Sequence, residues 1–163
     1  MKYLKKIFEN NNNMNVLAIY AGSFNPFHKG HLNIAEKAER IFGKGNVLIA
    51  IGINPAKNKT EDMSIRANEI SKKTGFPVEI YETFLHEFIE KKESDGYKVI
   101  LVRGLRDGND LAYEDNQLKY IMDFKKDIDV VFLRCDKEYS HISSSSIRNL
   151  QEFRPGSGDK YII

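Results

Sequence analysis

The chain has 163 residues, about the length of one domain, and 41% of its residues are hydrophobic. Its 25 Lys and Arg residues nearly balance its 23 Asp and Glu residues, so the net charge of +2 gives no support to a nucleic-acid partner. A single cysteine excludes an intramolecular disulfide framework, and no Cys/His cluster suggests a structural zinc site.

The first residues differ in composition from the rest, because residues 9–15 read ENNNNMN. We predict a weakly ordered Asn-rich extension over residues 1–13 and one domain over residues 14–163. The opening MKYLKKIF lacks the apolar core and the cleavage site of a signal peptide. We therefore expect a cytoplasmic protein with no membrane partner.

From residue 15 onward, apolar runs alternate with helical patterns. Runs typical of buried parallel strands lie at residues 15–20, 46–53, 76–81, 97–104 and 128–135. Helical patterns lie at residues 31–42, 64–74, 83–93, 110–126 and 144–152. This alternation predicts an α/β fold, a Rossmann-like, doubly wound, five-stranded parallel sheet in a single domain with right-handed crossovers.

Polar clusters follow these predicted strands. They are GSFNPFHKGH (22–31), NPAKNK (54–59), ETFLHEF (82–88), RGLRDGND (103–110) and EYSHISSSSIR (138–148). Ligands of open parallel sheets bind beyond the carboxyl ends of the strands. The clusters therefore predict a binding site along one edge of the sheet.

The first cluster has the chemistry of an anion site. Gly22 permits close backbone approach, Pro26 stiffens the turn, and Gly30 leaves room for a ligand at the start of a helix, where free N–H groups favour an anion. His28 and His31 are three residues apart and can face one ligand if both lie in the first helical turn. The cluster matches neither GxGxxG nor GxxxxGK[ST], and without an evident third ligand we assign no metal to the histidines.

Two of these clusters resemble the signatures of the nucleotidyltransferase superfamily. GSFNPFHKGH resembles the HxGH motif, and ISSSSIR (142–148) resembles the second motif, ISSS-x-[IV]-[RK]. Three further segments resemble the phosphopantetheine adenylyltransferase family: INPAK (53–57), VRGLRDGNDLAYEDNQLKYIM (102–122) and DKEYSHISSS (136–145). The likeness extends from about residue 18 to residue 150.

The resemblance implies an enzyme that transfers the adenylyl group of ATP to 4′-phosphopantetheine, giving dephospho-coenzyme A and pyrophosphate. It implies direct in-line attack without a covalent intermediate, Mg²⁺ that arrives with ATP rather than in a protein metal site, and a homo-oligomer, a hexamer in this family. The implied catalytic residues are Ser23, His31, Lys57 and Arg103. The residues implied to bind the acceptor are Ser23, Lys57, Leu85 and Arg103.

The residues implied to bind ATP come from three of the clusters. They are Ser23, Phe24, His28, His31, Gly104, Leu105, Arg106, Glu114, Tyr139, Ser140, His141, Ile142, Ser143, Ser144 and Ser145. Simpler interpretations stay open for some of them. Glu114 can be read as an exposed helix carboxylate, and the serine run over residues 143–146 can be read as a helix cap.

The sequence also departs from the family pattern. Asn25 stands where the family commonly has Asp, His28 where Thr is common, and His141 replaces an aromatic residue. GSFNPFHKGH is closer to the motif of the nicotinate and nicotinamide mononucleotide adenylyltransferases. A mononucleotide acceptor, another nucleotidyltransferase reaction and a non-catalytic nucleotide-binding regulatory protein are therefore the alternatives.

Overall fold

The structure, a computed structural model, describes residues 15–52 and 63–163. The predicted extension over residues 1–13, the NPAKNK cluster and Lys57 lie outside the described residues. Where the sequence predicts five strands, the structure has β1 (Asn15–Gly22), β2 (Val47–Gly52), β3 (Val78–Tyr81), β4 (Tyr97–Leu105) and β5 (Asp129–Arg134). All neighbouring strands are parallel, and their order in the sheet is β3-β2-β1-β4-β5.

The described residues also form five helices. They are α1 (Lys29–Phe42), α2 (Met63–Thr74), α3 (Leu85–Ser94), α4 (Gly108–Phe124) and α5 (Ser144–Phe153), with short 3₁₀ helices at Lys137–Tyr139 and Asp159–Tyr161. The predicted α/β class, the doubly wound parallel sheet and its five strands are confirmed. Within the described ranges, no helix is long and apolar enough to cross a membrane.

The core consists of two apolar clusters because successive side chains of a strand point to opposite faces of a sheet. In β1, Ala18 and Tyr20 belong to the cluster that also holds Ile34 of α1. Leu17 and Ile19 belong to the cluster on the other face, which includes residues of α3 and α4. Burial on both faces explains why β1 and β2 read as continuous apolar runs rather than as alternating patterns.

The ends of several elements differ from the sequence-based predictions. Helix α1 begins at Lys29 rather than residue 31, because His28 caps it. Strand β3 begins at Val78 rather than residue 76; Pro77 precedes it, and its ring nitrogen carries no hydrogen to donate. These shifts change no element type.

The strand order fixes where a ligand can bind. From β1 the chain builds the sheet outward through β2 and β3 on one side, and through β4 and β5 on the other. At such a switch point the connections leave β1 and β4 toward opposite faces and open a crevice beyond their carboxyl ends. The predicted site edge therefore has a defined centre, between Gly22 and Arg103.

Candidate active site

A cavity of about 300 Å³ opens at this switch point. Thirteen of the residues predicted to form the site line it: Ser23, Phe24, His28, His31, Arg103, Gly104, Leu105, Arg106, Glu114, Tyr139, Ile142, Ser143 and Ser144. They come from three segments that are far apart in the sequence. The fold brings three segments to one cavity: the first motif (22–31), the end of β4, and the second motif (142–148), which we call the serine loop.

The two histidines of the first motif form a reciprocal cap at the start of α1. The backbone N–H of His31 donates to Nδ1 of His28, and the backbone N–H of His28 donates to Nδ1 of His31, each at 3.3 Å. The two rings stack, with centroids 3.5 Å apart and an interplanar angle of 19°. Because both Nδ1 atoms accept hydrogen bonds, the proton of each neutral imidazole lies on Nε2.

Both histidines are held in the neutral form. Burial, reinforced by the charge of Arg106, lowers the pKa of His28 to about 4. Burial, the neighbouring His28 and Arg106 lower the pKa of His31 well below its usual value. Near neutral pH the pair therefore offers hydrogen-bond donors rather than positive charges.

Aromatic side chains surround the His31 ring. Its centroid lies 4.9 Å from that of Phe24 and 5.3 Å from that of Phe27, and Tyr20 packs edge-on at 6.4 Å. Phe24 has a φ of 46°, a left-handed conformation that is uncommon outside glycine. Its ring lies 3.0 Å from the position of a Cβ on Gly22, so any larger residue there would have to displace the ring.

Arg103 is the cation at the end of β4, and it faces Glu114 of α4. Its Nε lies 3.3 Å from Oε2 of Glu114, and the two side chains are only 16% and 20% exposed. These two atoms are buried without an aligned hydrogen bond. Burial raises the pKa of Glu114, and the charge of Arg103 opposes that increase. Glu114 is therefore an ion-pair partner within the site rather than an exposed helix carboxylate.

Arg106 is held by Asp110 one turn along the chain. Its Nε and Nη2 donate to the two carboxylate oxygens of Asp110 at 2.8 and 2.7 Å, and its backbone N–H donates to Oδ2 at 2.8 Å. These hydrogen bonds lower the pKa of Asp110, so the pair is ionised at neutral pH. The guanidinium is thus fixed beside the histidine pair.

The serine loop caps α5 and touches the first motif. Ser143 is the N-cap of α5, and its Oγ accepts the backbone N–H of Ser146 at 3.1 Å. The hydroxyl of Ser144 donates to the carbonyl of Pro26 at 2.9 Å, and Arg148 donates to the carbonyl of Asn25. The cap interpretation of the serine run is therefore correct for Ser143, and the same helix start lines the cavity.

Four described residues predicted for the site lie outside the cavity lining. Ser140 donates its hydroxyl to the carbonyl of Lys137 at 2.8 Å, and Ser145 is exposed with its Oγ 3.2 Å from that of Ser143. His141 is exposed and packs edge-on against Tyr161 at 5.7 Å. Leu85 is the first residue of α3 and packs against the core cluster on the far face of β1.

The cavity is also lined by side chains that the sequence interpretation did not select: Tyr20, Ala21, Ile34, Asp110, Tyr113 and Cys135. The spacing of Arg106 and Asp110, four apart at the predicted start of a helix, was the available signal for Asp110. Tyr20 is 5% exposed inside a strand, and nothing in the local sequence distinguishes it from a core residue.

The donor set of the cavity does not form a metal cage. Among residues 15–52 and 63–163, no group of three His, Cys, Asp or Glu side chains could hold a metal ion. The two carboxylates of the cavity, Asp110 and Glu114, each face an arginine. A cation that enters with a polyphosphate would therefore rely on phosphate oxygens as its principal ligands.

Known proteins resemble this chain over most of its length. Residues 19–150 match the family model described as cytidylyltransferase-like. A phosphopantetheine adenylyltransferase of Clostridium botulinum (strain Langeland) is 30% identical over 140 residues, which cover 83% of this chain and 82% of the relative. One of Clostridium novyi (strain NT) is 30% identical over 141 residues, with 84% of each chain covered.

A solved structure shares the fold. The nicotinic acid mononucleotide adenylyltransferase of Plasmodium falciparum, complexed with NaAD, superposes with a TM-score of 0.62 over 90% of this chain and 89% of that chain, at 17% identity. The chain belongs to the cytidylyltransferase-like family of nucleotidyltransferases, and within it to the phosphopantetheine adenylyltransferases. The resemblance predicted from the sequence motifs is therefore confirmed.

Proposed function

We propose that this chain transfers the adenylyl group of ATP to 4′-phosphopantetheine, releasing pyrophosphate. The observation that carries the proposal is the convergence of the stacked histidines, Arg103 and the serine loop on one cavity at the switch point of the sheet. This is a set of hydrogen-bond donors and cations suited to two phosphorylated substrates. The family membership supplies the class of acceptor.

The proposed reaction is a direct displacement at phosphorus. A phosphate oxygen of the acceptor forms a bond to the α-phosphorus of ATP, and the bond from that phosphorus to the oxygen bridging to the β-phosphate breaks. The electron pair leaves with pyrophosphate. Both the nucleophile and the leaving group are already anionic, so the protein's contribution is alignment and charge stabilisation.

His31 is the proposed donor to the reacting phosphate. Its Nδ1 accepts a backbone N–H, so Nε2 carries the hydrogen that can be donated. Since its pKa is lowered well below the usual value, it stays a neutral donor. Such a donor strengthens its hydrogen bond as negative charge develops on the oxygens of the transition state.

The remaining cavity residues are proposed to bind the substrates' phosphates and adenine. Ser23 and Arg103 lie at the carboxyl ends of β1 and β4, where the two substrates would meet. Ser143 and Ser144 stand at the N-terminus of α5, whose free N–H groups favour phosphate. Tyr139 and Ile142 add an apolar wall beside Gly30, which suits a nucleobase.

The acceptor side of the site is proposed from the family pattern. Lys57 is proposed to hold the acceptor phosphate, and it lies outside the described residues. Leu85 lies outside the cavity lining, but α3 follows β3 and so begins at the same edge of the sheet. It is the proposed contact for the pantetheine arm.

Mg²⁺ is proposed to arrive with ATP, because the carboxylates in the cavity are engaged by arginines. When bound, it would neutralise charge on the triphosphate. A homo-oligomer, a hexamer by family resemblance, and a cytoplasmic location also stay predictions. Light scattering of the purified chain tests the oligomer.

A mononucleotide adenylyltransferase is the second candidate. The observation that favours it is His28, which stands where the phosphopantetheine enzymes commonly have Thr and which stacks on His31 at the cavity. Both candidates use ATP and the same displacement. They differ only in the acceptor.

Pyrophosphate release from ATP, measured with each acceptor in turn, separates the possibilities. With 4′-phosphopantetheine in the assay we expect saturable turnover, and with nicotinate or nicotinamide mononucleotide only background. Turnover with a mononucleotide alone would replace the proposal by the second candidate. ATP binding without turnover on any of these acceptors would favour a non-catalytic nucleotide-binding protein.

A further inference from the structure

A polar contact behind the cavity joins helix α1 to the segment that leads into the serine loop. The side-chain amide of Asn33 donates from Nδ2 to Oδ2 of Asp136 at 2.7 Å. Its Oδ1 accepts the backbone N–H of Asp136 at 2.9 Å. Asn33 is 7% exposed, and neither residue lines the cavity.

The contact is completed by Lys37, one turn further along α1. Its Nζ donates to Oδ1 of Asp136 at 2.7 Å and to the carbonyl of Arg134 at 2.6 Å. Both carboxylate oxygens of Asp136 therefore have a partner on α1. Asn33 and Lys37 of α1 therefore fix the first turn of the chain that follows β5.

Each partner is next to a wall of the cavity. Asn33 follows His31 by two residues in α1. Asp136 opens the 3₁₀ helix Lys137–Tyr139, where its carbonyl accepts the N–H of Tyr139 at 3.0 Å. The carbonyl of Tyr139 in turn accepts the N–H of Ile142 at 3.0 Å. The position of Asp136 thus determines where Tyr139 and Ile142 stand relative to His31.

We propose that Asn33 is a positioning residue, which holds Asp136 and thereby sets the distance between the histidine wall and the Tyr139–Ser144 wall for the nucleotide. The inference rests on the proposed function, in which ATP occupies this cavity. It assigns a role to a residue that touches neither substrate. Asn33 acts through Asp136 and the 3₁₀ helix that Asp136 begins.

The chemistry of the contact requires an amide at position 33. One atom must donate to a carboxylate while another accepts a backbone N–H, and asparagine does both. Aspartate can only accept, so Asn33→Asp would place two carboxylates against each other. Exchanging both residues, in Asn33→Asp with Asp136→Asn, restores one donor and one acceptor side chain at unchanged net charge.

The test measures the KM for ATP, kcat for pyrophosphate release and the Tm of these variants. Asn33→Asp is expected to raise the KM for ATP roughly tenfold, with kcat changed by less than about threefold. The double exchange is expected to return the KM to within about threefold of the wild-type value. Asn46→Asp is the matched control, since Asn46 is exposed and its Nδ2 bonds only the carbonyl at the end of α1.

Other results would overturn the inference. A lower Tm for Asn33→Asp with an unchanged KM would mean a structural role only, and so would an exchange that restores the Tm but not the KM. If Asn33→Asp does not fold, Asp136→Ala tests the same contact from its exposed side, with the KM for ATP expected to rise and an unchanged KM counting against the inference. Wild-type protein that neither binds nor turns over ATP would instead refute the proposed function, and this inference with it.

Discussion

Replacing His28 by asparagine removes a titrating imidazole while keeping a residue that can cap α1. His28 is 4% exposed, and burial with the nearby Arg106 lowers its pKa from 6.5 to about 4. Between these pH values the unfolded chain binds a proton that the folded chain does not bind. The free energy of unfolding therefore falls as the pH is lowered from about 6.5 toward 4, because the proton binds to and stabilises the unfolded chain.

The size of the effect follows from the same two pKa values. A pKa unit corresponds to about 1.4 kcal/mol, so the full difference is roughly 3 kcal/mol, of which about 2 kcal/mol is lost between about pH 7 and about pH 4.5. Urea unfolding of the wild type and of His28→Asn at a series of pH values measures it. The free energy of unfolding of the wild type should fall by about 2 kcal/mol more than that of the variant over this range.

His31 is present in both proteins, but its pKa also depends on His28, so the difference between the two curves reports the titration of His28 together with its coupling to His31. Parallel curves between pH 7 and pH 4.5 would refute the reasoning, since His28 would then titrate alike in the folded and unfolded chains. A constant offset between the curves is expected in addition. It would report the packing lost with the stacked ring, which does not depend on pH.

Three substitutions test the cavity itself. His31→Ala is expected to lower kcat for pyrophosphate release by roughly 100-fold with little change in the Kd for ATP, because it removes the proposed transition-state donor. Collapse of ATP binding with persisting turnover would contradict that role. Arg103→Ala is expected to reduce both turnover and the affinity for phosphorylated substrates, measured in the same assays, because its charge acts on ground and transition states alike. Gly104→Ala is expected to lower the free energy of unfolding, measured in urea, by about 1–3 kcal/mol. The reason is that a Cβ there would lie 3.0 Å from Ile34 and 3.2 Å from the Tyr20 hydroxyl. An unchanged free energy of unfolding would show that the surrounding core relaxes to make room.

The sheet and its site edge could be predicted because both depend on local patterns. Buried parallel strands give continuous apolar runs, and the residues at their carboxyl ends stand out as polar clusters. The start of α1 was harder to predict, because its cap is a histidine that bonds a second histidine, whereas the usual capping residues are Ser, Thr, Asp and Asn.

The contacts that complete the site could not be predicted from the sequence. Asn33 and Asp136 are 103 residues apart, and each looks like an ordinary polar surface residue until the fold brings them together. Glu114 shows the same limitation, since its position in a helix does not reveal that it forms an ion pair with Arg103. Pairs of this kind depend on tertiary geometry, whereas motifs depend on the order of neighbouring residues.

The two ion pairs of the cavity, Arg103–Glu114 and Arg106–Asp110, have the same electrostatic effect. Arg103 and Arg106 each face a carboxylate, and the two histidines of the first motif are uncharged, so the net charge of the cavity is small although it contains two cations. Burying the Arg103 guanidinium without a partner would cost several kcal/mol, so the carboxylate of Glu114 stabilises the folded chain without substrate, whereas the Arg106 side chain is 41% exposed. The carboxylates of Glu114 and Asp110 also keep the two guanidinium groups in place, so less conformational entropy is lost when a phosphate binds. In the proposed reaction, a triphosphate would then meet fixed donors at the end of β4 and at the start of α5, which is the preorganisation that the proposed displacement between two anions requires.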